Sequence, residues 1–167
     1  ESEISVMLMA LGCSYAGDKV AVGTSGGGFC LMAEGLSFCG MAEFGAVIIL
    51  GQRPGPSTGL PTYTGQTELF FALHAGQGEF CRFIVAPGDA EEAYFWSGIS
   101  MNMSQAYQIP SIILSDKTLA EGIYSFDRAS AGEIQEKPFM AWDRKGPYKR
   151  YMDTPTGVSP LTFPPDK

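Results

Sequence analysis

The chain has little basic charge. Its 167 residues include 11 Lys and Arg against 18 Asp and Glu, a formal net charge of -7. Nucleic-acid affinity comes mainly from clustered cations, so this balance argues against a phosphate-backbone partner. No apolar run approaches the roughly 20 residues that a membrane helix needs, and no charged segment precedes an apolar stretch in the manner of a signal peptide. These absences predict a cytoplasmic protein with no membrane span. There is no Gly-x-Ser-x-Gly elbow, and the glycines at 26–28 are not followed by the Lys-Ser/Thr of a phosphate loop, which weakens hydrolase and nucleotidase readings. The four cysteines, Cys13, Cys30, Cys39 and Cys81, contain no Cys-x-x-Cys pair and sit in apolar surroundings, so they read as buried thiols rather than metal or cluster ligands. His74, the single histidine, falls late in an apolar helical stretch and reads as a structural residue. The chain opens at Glu1 inside what already looks like a helix, and is expected to be a fragment.

What is present is an alternation of helical and strand patterns, with a core-forming 45% of hydrophobic residues. Ile4, Met7, Leu8, Leu11 and Tyr15 recur at helical spacing within residues 3–16. A short strand over 19–24 runs into Thr24-Ser25-Gly26-Gly27-Gly28, expected to be a glycine turn, and an apolar helix follows over 29–40. Such a turn lets backbone approach a ligand, and equally allows tight helix-strand packing. Residues 44–50 are an unbroken apolar strand, the pattern of a strand covered on both faces. A helix is expected over 66–75, with Leu69, Phe70 and Leu73 on one face. It precedes a strand over 82–86, a helix over 90–107 capped by Asp89, and a strand over 111–115. This order predicts a three-layer α/β/α domain with a mainly parallel sheet, on a six-strand scale. After about Ser125 periodicity gives way to Lys137-Pro138, Gly146-Pro147, Thr154-Pro155 and Pro164-Pro165, an extended connector or arm.

Two places carry chemistry. Gln52 to Thr62 is a Pro/Gly-rich loop leaving the carboxyl end of a buried strand, where open α/β sheets hold ligands. Arg53 there either meets an anion or ties down its own loop backbone. Glu1 and Glu3 open the first helix, where acids complement the helix dipole or do chemistry.

Glu3, Gly12-Cys13-Ser14-Tyr15-Ala16-Gly17, Thr24 to Phe29, the Gln52 to Thr62 loop, His74 to Phe80, Ala86-Pro87-Gly88 and Leu114-Ser115-Asp116 come in that order. Together they closely resemble the alpha subunit of 2-oxoacid:ferredoxin oxidoreductases, over about residues 1–124. The resemblance implies the pyrimidine-binding fold of a thiamine diphosphate enzyme over 1–124, with 125–167 a Pro-rich connector toward a next domain. It implies that Glu3 is catalytic, sharing a proton with N1′ of the aminopyrimidine to favour the imino tautomer that takes the thiazolium proton. It makes Arg53 the group that binds the 2-oxoacid carboxylate, and puts Thr24, Ser25 and Gly26 beside the cofactor. It further implies a beta subunit holding the diphosphate, Mg²⁺ and [4Fe-4S] clusters, with no metal bound by this chain. Coenzyme A and ferredoxin are the expected co-reactants, and 2-oxoglutarate the favoured substrate. The family's Tyr-Pro-Ile-Thr-Pro element is expected before Glu1. Gln77 and Cys81 stand where relatives often carry histidine and proline. Two other readings remain: a domain of a non-oxidative 2-oxoacid decarboxylase, and a non-catalytic structural module of the same fold.

Overall fold

A computed structural model of the chain describes residues 2–164. Four strands, β1 (Ala21–Ser25), β2 (Ala46–Gln52), β3 (Phe83–Val85) and β4 (Pro110–Asp116), form one sheet in the order β1-β2-β4-β3. Every pairing is parallel, so all four carboxyl ends lie at one edge. The six-strand scale is therefore corrected to four strands among the described residues.

Strand alternation sorts the two faces. In register, Val22, Ile48, Ile112 and Ile84 line one face, and α1 (Glu3–Tyr15) and α2 (Gly26–Ala42) cover it with Met7, Leu11, Phe29, Met32 and Leu36. The short α3 (Leu69–His74) adds Ala72 to the same core. On the other face α4 (Ala90–Tyr107) packs on β2, β3 and β4, with Trp96 against Phe83 at 6.4 Å between ring centroids. That makes three layers.

The layers differ in kind. α1 and α2 bury large apolar side chains, whereas α4 buries Ser100, Asn102, Ser104 and Gln105. A side chain at Gly45 would stand 2.4 Å from the Ser104 carbonyl, so α4 approaches the sheet by small residues. The Oγ atoms of Ser100, Ser104 and Ser111 are buried there without a hydrogen-bond partner among the described residues. α4 also stops short of β1. Ile49, expected to be covered, is 41% exposed.

Two helical faces are corrected as well. In α1 the inward stripe is Met7, Ala10, Leu11 and Ser14, and Ile4, Leu8 and Tyr15 face outward. In α3, Leu69, Phe70 and Leu73 are the exposed side, Phe70 by 77%, because the small Ala72 is what fits against the core. Element ends follow local chemistry. Asp89 Oδ1 accepts from Glu92 N at 2.8 Å to cap α4, and Asp116 Oδ1 accepts from Leu119 N at 2.9 Å to cap α5 (Lys117–Glu121).

Beyond residue 121 no helix or strand follows among the described residues, only a bridge between Ala141 and Leu161. This arm folds back over the amino edge of the sheet. Asn102 binds the Gln135 carbonyl and the Lys137 N–H at 2.7 and 2.9 Å, and Phe163 lies against Gly17. Arg150 reaches the Ala42 and Glu43 carbonyls at 2.7 and 2.6 Å, the Glu43 carboxylate at 3.1 Å and the Gln108 side-chain oxygen at 3.1 Å. Glu43 and Gln108 close α2 and α4 in the left-handed region, at φ 53 and 57°. Glu1 and Pro165 lie outside the described residues.

Candidate functional site

At the carboxyl edge β1 runs directly into α2. The expected glycine turn is instead the first turn of that helix, with Ser25 as N-cap and Gly26, Gly27 and Gly28 as its opening residues. The glycines are required by what lies on them. A Cβ at Gly26 would come within 2.8 Å of Glu68 Oε1, one at Gly27 within 3.3 Å of an Arg53 guanidinium nitrogen, and one at Gly28 within 2.0 Å of Thr24 Oγ1 and 2.8 Å of Glu3 Oε1. Three ionisable side chains from α1, the loop after β2 and the approach to α3 thus meet one helical turn. The Ser25 side chain caps none of the N–H groups there, so the positive end of the α2 dipole is open.

Glu3 and Arg53 share an unusual condition. Both are partly buried, and among the described residues neither side chain has a hydrogen bond or ion pair. Arg53 Nε is wholly enclosed with no acceptor. Arg150 Nε is enclosed without an acceptor too, but its terminal nitrogens are partnered; Arg53, with no side-chain nitrogen bonded among the described residues, asks for an acceptor from outside. The guanidinium faces a cleft of about 410 Å³ lined also by Gly26, Gly27, Cys30, Ser57 and Phe71. Arg53 therefore does not tie down its loop with its charge; the Gln52 to Thr62 loop holds itself, with Leu60 N donating to the Pro54 carbonyl at 3.0 Å. Gly59, at φ 55°, allows that turn, since any Cβ there would stand 1.9 Å from the same carbonyl.

One residue escaped the sequence reading. Glu68 is only 6% exposed. Its Oε1 accepts from Arg53 N at 3.1 Å, and its Oε2 accepts from Thr67 N and Thr67 Oγ1 at 3.2 and 3.1 Å. The missed signal was an acid beside Thr67 at the start of an apolar helical stretch, where it passes for a helix-dipole residue.

Gln52, next to Arg53, turns the other way. It shares the face of Leu50 and enters a second cleft of about 370 Å³ with Gln66, Leu69, Leu114 and Asp116. Backbone N–H from Leu119 and the Gln66 amide hold the Asp116 carboxyl below its ordinary value.

The other candidates are elsewhere. His74 is exposed at the end of α3. Only Cys39 is a buried thiol, and burial pushes it up to about 12; Cys13, Cys30 and Cys81 are exposed, Cys30 at the Arg53 cleft. Gln77 donates its N–H to Ser37 Oγ at 2.8 Å, away from the cleft. Among the described residues no three His, Cys, Asp or Glu side chains converge as a metal site, and no helix is long and apolar enough to cross a membrane.

Comparison with known proteins gives this edge a context. The family described as "Pyruvate flavodoxin/ferredoxin oxidoreductase, thiamine diP-bdg" matches residues 1–165. The 2-oxoacid:ferredoxin oxidoreductase 1 alpha subunit of Sulfurisphaera tokodaii is 39% identical over 98% of this chain, which spans 26% of that relative. The 2-oxoglutarate oxidoreductase subunit KorA of Mycobacterium tuberculosis is 37% identical over 73% of this chain and 19% of its own length. Among solved structures, the 2-oxoglutarate:ferredoxin oxidoreductase from Magnetococcus marinus, with 2-oxoglutarate, coenzyme A and succinyl-CoA bound, superposes with a TM-score of 0.90 at 36% identity. It is covered over 29% of its chain by 99% of this one. The chain thus spans about a quarter of the length of these relatives. A match along the whole sequence, carried by the same parallel sheet and helices, leaves one conclusion: the chain belongs to the thiamine diphosphate-binding domain family of the pyruvate flavodoxin/ferredoxin oxidoreductases.

Proposed function

We propose that this chain is the pyrimidine-binding part of an alpha subunit that, with a beta subunit, oxidatively decarboxylates a 2-oxoacid. The overall reaction takes a 2-oxoacid, coenzyme A and oxidised ferredoxin to acyl-CoA, carbon dioxide and reduced ferredoxin. The observation that carries the reading is the pair of opposite charges, Glu3 and Arg53, left unpartnered on one glycine turn. A self-sufficient structural module would have paired or exposed them.

Thiamine diphosphate, when bound, supplies the carbanion equivalent that attacks the substrate carbonyl. The residues present fit its ring end. The Glu3 carboxylate lies over the bare backbone of Gly28, beside Thr24, one residue from the glycines that line the Arg53 cleft. Glu3 holds or shares a proton at the ring nitrogen N1′, and Thr24, Ser25 and Gly26 form the wall at the helix N-terminus. Arg53 receives the substrate carboxylate by bidentate hydrogen bonds and fixes the carbonyl carbon in place. Within this reading residues 1–124 carry the site and 125–167 are the connector, whose described part is folded on the amino edge. Mg²⁺, the diphosphate and [4Fe-4S] clusters are assigned to the beta subunit, in the cytoplasm. 2-Oxoglutarate is the preferred substrate, supported by the 2-oxoglutarate oxidoreductases among its relatives.

Glu3→Gln in the complete assembly tests this reading. Turnover should fall by about 10³-fold, with the thermal midpoint unchanged. Near-normal turnover removes Glu3 from the chemistry.

A further inference from the structure

We propose that Glu68 is a positioning residue that aims Arg53 while leaving its charge free for the substrate. This rests on the reading that Arg53 binds the 2-oxoacid carboxylate.

A carboxylate at 6% exposure has lost most of its water and must be compensated inside the protein. The obvious counterion is the guanidinium that lines the same cleft. Glu68 does not use it. Its oxygens are taken by two main-chain N–H groups and a hydroxyl, from Arg53 and Thr67. Of a carboxylate's roughly four acceptor positions, two are engaged by main-chain N–H groups and a third shares the single Thr67 hydroxyl proton with the Arg53 carbonyl, all without any cation. Had the two side chains paired, the arginine would be neutralised and a substrate would have to break a buried ion pair to enter.

The same bonds close the base of the loop. Arg53 is the residue on the way out and Thr67 the residue on the way back, and Thr67 Oγ1 also reaches the Arg53 carbonyl at 2.9 Å. The carboxylate therefore grips both the N–H of Arg53 and its return strand, fixing the point from which the guanidinium projects toward Gly27. The helix is bare beneath it: a Cβ at 26 would stand 2.8 Å from Glu68 Oε1 and push the carboxylate from its place. A residue serving stability alone would not need the N-terminal turn of α2 to lie bare beneath it.

The test uses the complete assembly with 2-oxoglutarate. Glu68→Gln keeps the shape but turns one acceptor into a donor that faces Thr67 N–H. KM for 2-oxoglutarate should rise about tenfold with kcat within about threefold, because a misaimed Arg53 loses binding rather than chemistry. Thr67→Val, which removes one hydroxyl contact, should raise KM about two- to threefold. Combined with Arg53→Lys, Glu68→Gln should add almost nothing to the rise that Arg53→Lys gives alone. A fall in kcat at unchanged KM, or full additivity with Arg53→Lys, overturns the proposal and leaves Glu68 a fold residue. If Glu68→Gln does not assemble, an unchanged KM in Thr67→Val overturns it in the same way. An unchanged KM in Arg53→Lys itself marks a different failure, that of the carboxylate reading.

Discussion

Each edge of the sheet carries an arginine, and the protein treats the two in opposite ways. At the amino edge Arg150 donates to two helix-terminal carbonyls, a carboxylate and a carboxamide. At the carboxyl edge Arg53 donates its side chain to nothing among the described residues; an enclosed Nε without an acceptor is common to both arginines, so the contrast lies in their terminal nitrogens. The difference separates a cation used for folding from one held in reserve. Unsatisfied charge costs stability, and such cost is concentrated where a ligand is to be met.

Three substitutions sharpen or break this contrast. The largest effect is expected from Arg53→Met, which should lower kcat/KM for the 2-oxoacid by about 10² to 10³ in the complete assembly. Its unfolding free energy should stay within about 0.5 kcal/mol of the parent, since no internal bond is lost. A destabilisation comparable to that of the second variant would erase the contrast. Arg150→Met is that variant: denaturant unfolding should show a loss of about 3 kcal/mol, from charge-assisted bonds and carbonyls left without donors. Turnover per folded enzyme should be unchanged, and a selective rise in substrate KM would join the two edges functionally. The smallest effect concerns Asp116. Its carboxyl is held below the ordinary value by the Leu119 N–H and the Gln66 amide, so its contribution is fully present above the ordinary carboxylate range. That contribution is lost as pH falls through the depressed folded value. Asp116→Ala should therefore lower stability at neutral pH, converge with the parent as the pH falls through the depressed value, and so flatten the acid limb of a stability-pH profile.

The contrast also marks what was legible in the amino-acid sequence. The unbroken apolar run ending at Leu50 and the short strand over 111–115 announced parallel strands of the sheet, and Asp89 announced the cap of α4, because these signals are local. The placement of Arg53 at the carboxyl edge followed from the strand before it. What failed needed distance. Gly26 to Gly28 read as a turn because a run of three glycines usually signals freedom, whereas here each is small for the sake of a side chain up to 42 residues away. Leu69, Phe70 and Leu73 read as a core face, yet α3 is too short for periodicity to choose its inward side. Glu68 was invisible because nothing nearby reveals that its partners are backbone groups across a loop.

Arg150 gives the chain a boundary that its sheet does not. The last strand ends at Asp116, but the C-terminal caps of α2 and α4, on opposite faces of the sheet, are joined through Arg150, 34 positions later. Gln108 in turn donates to the Ser159 carbonyl. A piece of chain cut after the last element would keep every strand and both charges of the site while leaving its two long helices without a common brace. The least regular segment of the chain thus ties together the ends of its two longest helices.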